Sequence, residues 1–180
     1  MKKVFLLCTV SILFLAFNTT FAVDTTWKGS QAEDDNWHNS NNWDNGVPSS
    51  ADNPHIDEGE AVLYGAGVGY QPVVGWVSGP GKLTITSSGS LSTEKWMGIG
   101  LYSPGEGFVD VNGGLLQVNG GDGPLNVGQY GTGTLNVYDG QVITNAMPVA
   151  KFSDSWGQVN VYGGKIHITE WGFSIGKKCS

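Results

Sequence analysis

Four stretches of this sequence can be written under one another, and a chain that repeats itself in this way folds by stacking its repeats. They are GKLTITSSGSL from Gly81, GFVDVNGGLL from Gly107, GTLNVYDGQV from Gly133 and GQVNVYGGKI from Gly157, with leading glycines 26, 26 and 24 residues apart. Each reads glycine, any residue, apolar, polar, apolar, then a glycine-bearing turn, then another apolar residue. The first carries one extra residue in its turn. Between these stretches a second signature recurs as VVGW, GIGL, NVGQ, PVAK and SIGK. Its apolar residue is Val74, Ile99, Val127, Val149 and Ile175, at spacings of 25, 28, 22 and 26. In one copy Ala150 replaces the glycine, which argues against a left-handed backbone at that turn.

Period-two alternation puts Leu83 and Ile85 on one face of a strand and Thr84 on the other. Val109/Val111, Leu135/Val137 and Val159/Val161 take the inward positions in later copies, and Asp110, Asn136 and Asn160 point out. One such strand cannot bury its apolar side alone. Stacked copies can, with Ile85 on Val111 on Val137 on Val161, and Leu91 on Leu116 on Val142 on Ile166. A period near 25 residues fits one coil of three short strands and three turns. An antiparallel sandwich also places a strand about every 8–12 residues. Here, however, the similarity returns once per coil and not once per hairpin. A propeller blade needs a longer period, about 40–50 residues. The expected fold is therefore all-β, a parallel β-helix (solenoid) of about four to five coils.

GTGTLNVYDGQV and GQVNVYGGKI, each followed by an apolar-Gly step, resemble the β-helix repeats of autotransporter passengers and of PEP-CTERM (exosortase-sorted) surface proteins. The segment before the repeats, TTWKGSQAEDDNWHNSNNWDNGVPSSADNPHI, is similar to the leading region of such proteins. The matching residues are Trp27 with Gly29, Trp37, Asn42-Trp43, Gly46 with Pro48, Asp52 and Ile56. The resemblance implies a bacterial, extracellular, right-handed parallel β-helix, and it carries no catalytic residues. Such proteins are usually longer and end in a sorting signal or a translocator barrel. This sequence stops at KKCS after the last apolar-Gly step, which reads as a piece of a longer surface protein or a variant with an unusual end.

Lys2 and Lys3, the apolar run 4–17 and the small residues of Thr20-Phe21-Ala22 form a three-part secretory signal, with cleavage expected between Ala22 and Val23. The apolar run is too short and too interrupted to span a bilayer well. The expected organisation is a signal peptide over 1–22, an irregular Trp-rich N-terminal cap over 23–60, and β-helix repeats over 61–180. The expected location is secreted or at the cell surface, with no membrane span in the mature chain. Once the signal is gone a single cysteine, Cys179, remains, so the mature chain forms no internal disulfide and its coils are held by packing and backbone hydrogen bonds.

The chain has no arginine and a formal net charge of -7, which excludes the clustered cations that a nucleic-acid surface needs. Its 28 glycines suit many short strands and turns. None of His38, His55 and His167 sits in a metal motif. Glu33-Asp34-Asp35 could offer oxygen ligands to calcium, but lacks the alternating spacing of a calcium loop, so a solvated loop and no cofactor are expected. Asp110 is the only acid among its column neighbours Thr84, Asn136 and Asn160, which leaves no carboxylate pair for glycoside cleavage. No catalytic site is readable. The seven tryptophans offer two roles. Trp27, Trp37 and Trp43 are expected to pack as a cap over the first coil. Trp96 and Trp171, which precede equivalent strands, are the candidates for stacking on a sugar. The expected function is a structural or adhesive surface module. The alternative is a carbohydrate-binding or polysaccharide-degrading module, which a concave row of exposed Trp, Tyr and carboxylates across coils would favour, whereas a uniform Thr/Asn/Ser surface would favour the scaffold. The expected partners are an extracellular surface or polysaccharide, and another copy of the chain through an uncapped C-terminal coil, in part through Cys179.

Overall fold

The computed structural model describes residues 22–119 and 123–176. The expected signal segment before Ala22, and the end formed by Lys177, Lys178, Cys179 and Ser180, lie outside the described residues. The strands are β1 (Val23–Thr26), β2 (Asp52–Ile56), β3 (Gly59–Leu63), β4 (Ala66–Gly69), β5 (Val73–Val74), β6 (Gly81–Ile85), β7 (Ser90–Thr93), β8 (Met97–Ile99), β9 (Glu106–Val118), β10 (Leu125–Val127), β11 (Thr132–Val149), β12 (Trp156–Val161) and β13 (Lys165–Ile175). Among the described residues, all pairings between these strands are parallel.

They sort into three ladders. The first stacks β1, β2, β5, β8, β10, the end of β11 and the end of β13. The second stacks β3, β6, the start of β9, the start of β11 and β12. The third stacks β4, β7, the end of β9, the middle of β11 and the start of β13. The chain visits the ladders in this order, so each circuit is one coil of a β-solenoid. Five full coils run from β2 to the first half of β13, with one further strand of the first ladder at either end, about six turns in all.

The apolar columns stack in the register that the repeat dictates. Ile85, Val111, Val137 and Val161 are direct partners, as are Leu91, Leu116, Val142 and Ile166. So are Val74, Ile99, Val127, Val149 and Ile175. Branched aliphatic side chains repeated at one strand spacing stack well in such columns, and the inner residues of the middle coils are fully buried. The last coil has neighbours on one side only: Val161 is 53% exposed and Ile175 72%, against 0% for Val137.

One turn departs from expectation. Ala150 has φ +51°, so it adopts the same left-handed conformation as its equivalents Gly75, Gly100 and Gly128. The end of β11 is held in register by β10 on one side and β13 on the other, residues 150 and 151 donate to the carbonyls of Val127 and Gly128, and the ladder overrides the residue's own preference.

The first coil would present three bare strand edges, and the N-terminal segment covers each. β1 pairs with β2. Residues 35–37 lie along β3, where Val62 donates to the Asp35 carbonyl and Trp37 donates to the Val62 carbonyl at 3.0 Å. His38 Nε2 lies 2.9 Å from the Ala66 carbonyl of β4. Trp27, Trp37 and Trp43 close the end of the prism as expected. All three are buried, with Trp43 edge-on to both others at centroid distances of 5.2 and 4.8 Å. The Trp43 indole donates to the Trp37 carbonyl at 2.8 Å.

Asn42 organises this cap from a fully buried position. Its Oδ1 accepts from the Glu33 amide at 2.7 Å, and its Nδ2 donates to the Asp34 and Asn36 carbonyls at 3.0 Å each. Asn42→Ala leaves these part-buried backbone groups without their partner, at up to about 1–3 kcal/mol each where neither rearrangement nor water rescues them. A loss of about 3 kcal/mol, read as a melting midpoint lowered by roughly 10 °C, is the expected result. An unchanged midpoint would mean that the cap does not close the solenoid.

Candidate functional site

The outward positions of the first ladder run His55, Val73, Gly98, Asn126, Pro148 and Ser174. Gly98 has no side chain, so the column is notched at the third coil. Two neighbours lean over the notch: a Cβ at residue 98 would stand 3.2 Å from a Leu101 methyl group and 3.4 Å from Trp96 Cζ3. Trp96 and Leu101 form a ridge with a cleft on each side. The upper cleft, about 240 Å³, is lined by Tyr102, Pro124, Asn126, Gln129 and Lys151 as well as the ridge. The lower, about 170 Å³, adds Asp24, Asn53, His55, Gln71, Val73 and Trp76 to the same ridge and Tyr102.

Of the two tryptophans singled out for stacking, Trp96 therefore lies between both clefts. Trp171 is exposed in the last coil, three rungs further along, or roughly 14 Å at the spacing of parallel strands. The structure does not bring the two together. Instead, Trp76 and Tyr102 join Trp96, and Tyr102 begins an exposed ladder of rings. Tyr102 and Tyr130 stack with centroids 5.8 Å apart, Tyr130 and Phe152 at 4.2 Å, and Tyr138 and Tyr162 form a second stack at 5.0 Å on another corner. This stack of Tyr102, Tyr130 and Phe152 runs across coils on the corner after the left-handed turn, with the two tyrosines exposed and Phe152 half-buried.

The polar groups of the clefts are amides more than charges. The Asn126 side chain is 3% exposed, and its Oδ1 has no hydrogen-bond partner among the described residues. The Asn53 Oδ1 likewise has none, while its Nδ2 donates to Asp24 Oδ1 at 2.9 Å. His55 packs edge-on against Trp76 at 3.9 Å. Burial pulls its pKa below the usual histidine value, opposed by the charges of Asp24, Asp57 and Asp44. Sequence reasoning missed Trp76, Gly98, Tyr102 and Asn126. The one signal available was the outward phase of VVGW, GIGL and NVGQ, where glycine interrupts a column of side chains.

Along the second ladder and around the acidic turn of the cap the polar side chains satisfy one another, whereas the buried Trp27 and Trp37 indole N–H groups have no partner among the described residues. On the second ladder, Asn160 Nδ2 donates to Asn136 Oδ1 and Asn136 Nδ2 to Asp110 Oδ1, both at 2.8 Å. Lys82 joins Asp110 at 3.1 Å to Glu60 at 3.2 Å. Burial works against the Lys82 charge, but hydrogen bonds to the two carboxylates outweigh it and hold its pKa above the usual range. Both carboxylates are thus tied to a cation and to the ladder. In the cap, the Glu33 carboxylate accepts from the Asn41 amide at 3.1 Å, and Asp34 Oδ1 accepts from Asn42 at 2.7 Å. Hydrogen bonds to the Asp34 carboxylate, first from Asn42 and then from the Asn36 amide and Asn39, lower its pKa. Asn amides occupy the acidic cluster that sequence reading weighed as a calcium site. His167 is exposed, on the outward phase. Among the described residues, no helix is long and apolar enough to cross a membrane.

Comparison with known proteins gives one informative similarity. Over 127 residues, 67% of the chain, the sequence is 35% identical to the uncharacterized lipoprotein YdeK of Escherichia coli (strain K12). The chain spans about a tenth of that protein's length, with the match covering 10% of it. No family model matches the chain, and no solved structure matches it.

Proposed function

We propose that the chain is a surface-displayed solenoid module of a longer exported protein, and that it serves as a structural and adhesive element outside the cell. The similarity to a much longer lipoprotein carries this reading. A solenoid suits it physically. Each coil contacts only its neighbours, so length is gained by adding coils, and the outer faces vary without disturbing the core. The secretory signal and the resemblance of the repeats to autotransporter and exosortase-sorted surface proteins support the same location. Treating intact cells of the native host with an amine-reactive biotin reagent that cannot cross membranes tests the reading. Biotin on this protein before lysis is the expected result. Labelling only after lysis would place the module inside and overturn it.

A further inference from the structure

We propose that the two clefts beside the Trp96–Leu101 ridge bind consecutive pyranose rings of an oligosaccharide. The proposal deepens the adhesive reading by giving that surface a ligand class. Three observations carry it. First, the clefts are small. About 240 and 170 Å³ are below the roughly 300–1,000 Å³ of sites for drug-sized ligands, and each suits a single ring. Secondly, they share one wall, the half-buried Trp96 with Leu101 and Tyr102, so two linked rings lie against one continuous apolar and aromatic surface. The C–H face of a pyranose is apolar and its rim is hydroxylated, which is the pattern an aromatic ridge between amide-lined clefts complements. Thirdly, Asn126 lines the upper cleft and Asn53 the lower, and in each side chain the buried amide oxygen has no partner among the described residues, so turning it into the cleft breaks no hydrogen bond made by that oxygen. A buried acceptor left unmade is unfavourable, and a ligand hydroxyl donating to it removes that penalty.

The third observation separates a binding role from a packing role. Asn126 contributes an unsatisfied group to the unliganded fold, so Asn126→Ala does not cost a hydrogen bond made by its oxygen. A ligand anchored on that oxygen, in contrast, loses affinity. Gln129 and Lys151 in the upper cleft supply donors, and Asp24 in the lower supplies an acceptor. The upper cleft therefore also accepts the carboxylate of a uronic acid.

Isothermal titration of the purified chain with cellotetraose, N-acetylchitotetraose and tetragalacturonate tests the proposal. Saturable binding of at least one is expected, with tetragalacturonate favoured if Lys151 meets a carboxylate. Trp96→Ala and Asn126→Ala should each weaken it about tenfold or more, equivalent to about 1.4 kcal/mol. Trp171→Ala should leave it unchanged. If Trp96→Ala proves unstable, Asn126→Ala decides alone, with its melting midpoint matched to the parent. No saturable heat from any of the three up to about 10 mM would exclude a useful affinity and overturn the proposal. Binding that survives both cleft substitutions would overturn it as well. Because the titration uses purified protein, its outcome is independent of where the cell displays the module.

Discussion

Val137→Asp abolishes the cooperative melt of this protein, while Tyr138→Asp one residue later leaves it nearly intact. Val137 is fully buried in the fourth coil, with Val111 below it and Val161 above it in register. A carboxylate there meets aliphatic carbon on both sides and no cation. The loss of the buried valine forfeits about 1.5–3 kcal/mol. The charge, or the proton it must take up, adds several kcal/mol more. Together these approach the whole stability of an ordinary domain, about 5–15 kcal/mol. Tyr138 points the other way, is 46% exposed, and contributes mainly its stack on Tyr162. Its replacement forfeits only about 0.5–1.5 kcal/mol. Circular dichroism of the two variants through a thermal ramp makes the comparison. Matching melts would mean that residues 137 and 138 do not lie on opposite faces, and the stacking register would fail with them.

The coils were legible because each repeats the same physical demand. Leu83, Val109, Leu135 and Val159 align by eye because each must fill the same place in the prism, one strand spacing apart. Legibility faded in the first coil. There Gly59 pairs with Gly81 and Leu63 with Ile85, yet GEAVL lacks the apolar-polar-apolar rhythm. Val62 takes the outward position and is buried, because residues 35–37 lie along that strand. The third ladder changes at the same level: Gly67 stands where Leu91 stands one coil later, and a side chain there would press on Leu63 and the Trp37 indole. Cap and coil share their core, so the pattern of neither is complete in its own sequence.

The clefts were legible only in part, for a related reason. Trp96 drew notice as a surplus aromatic before a strand. Its partners come from four levels of the stack and from the cap: Asp24 from β1, Asn53 from β2, Trp76 and Tyr102 from two successive corners, and Asn126 from β10. No local motif joins positions 24, 53, 76, 102 and 126. What joins them is the coil period, which brings residues about one circuit apart into contact. The outward column shows the site only when it is read down the stack for a missing side chain, which is Gly98.

The left-handed turn after each first-ladder strand supplies a test in which the same pair of residues, exchanged in opposite directions, shifts stability with opposite signs. Gly100 has φ +67°, and a Cβ placed on it would lie 2.0 Å from the carbonyl oxygen of Thr132, where the next coil's strand passes over the turn. Gly75 and Gly128 meet the next coil equally closely, at 2.3 Å from Glu106 and 2.1 Å from Trp156. Gly100→Ala thus carries a left-handed penalty of about 1–2 kcal/mol. The carbonyl clash adds to it, since it forces β11 away from β9 along a ladder whose core is fully packed. A total of about 3–5 kcal/mol is expected, in the upper tail for single substitutions. Ala150 occupies the same turn one coil beyond Gly128. The strand that crosses Gly128 is β12, and among the described residues no second-ladder strand crosses Ala150. Its methyl group escapes the clash and bears only the conformational penalty, so Ala150→Gly relieves strain. That gain is offset in part by the greater freedom of glycine in the unfolded chain, leaving about 0.5–1 kcal/mol of stabilisation or less. Denaturant unfolding of both variants beside the parent gives the two differences. A Gly100→Ala protein as stable as the parent would show that the coils do not approach so closely at this corner. An Ala150→Gly protein destabilised by more than about 1 kcal/mol would show that residue 150 does not hold the left-handed turn in solution.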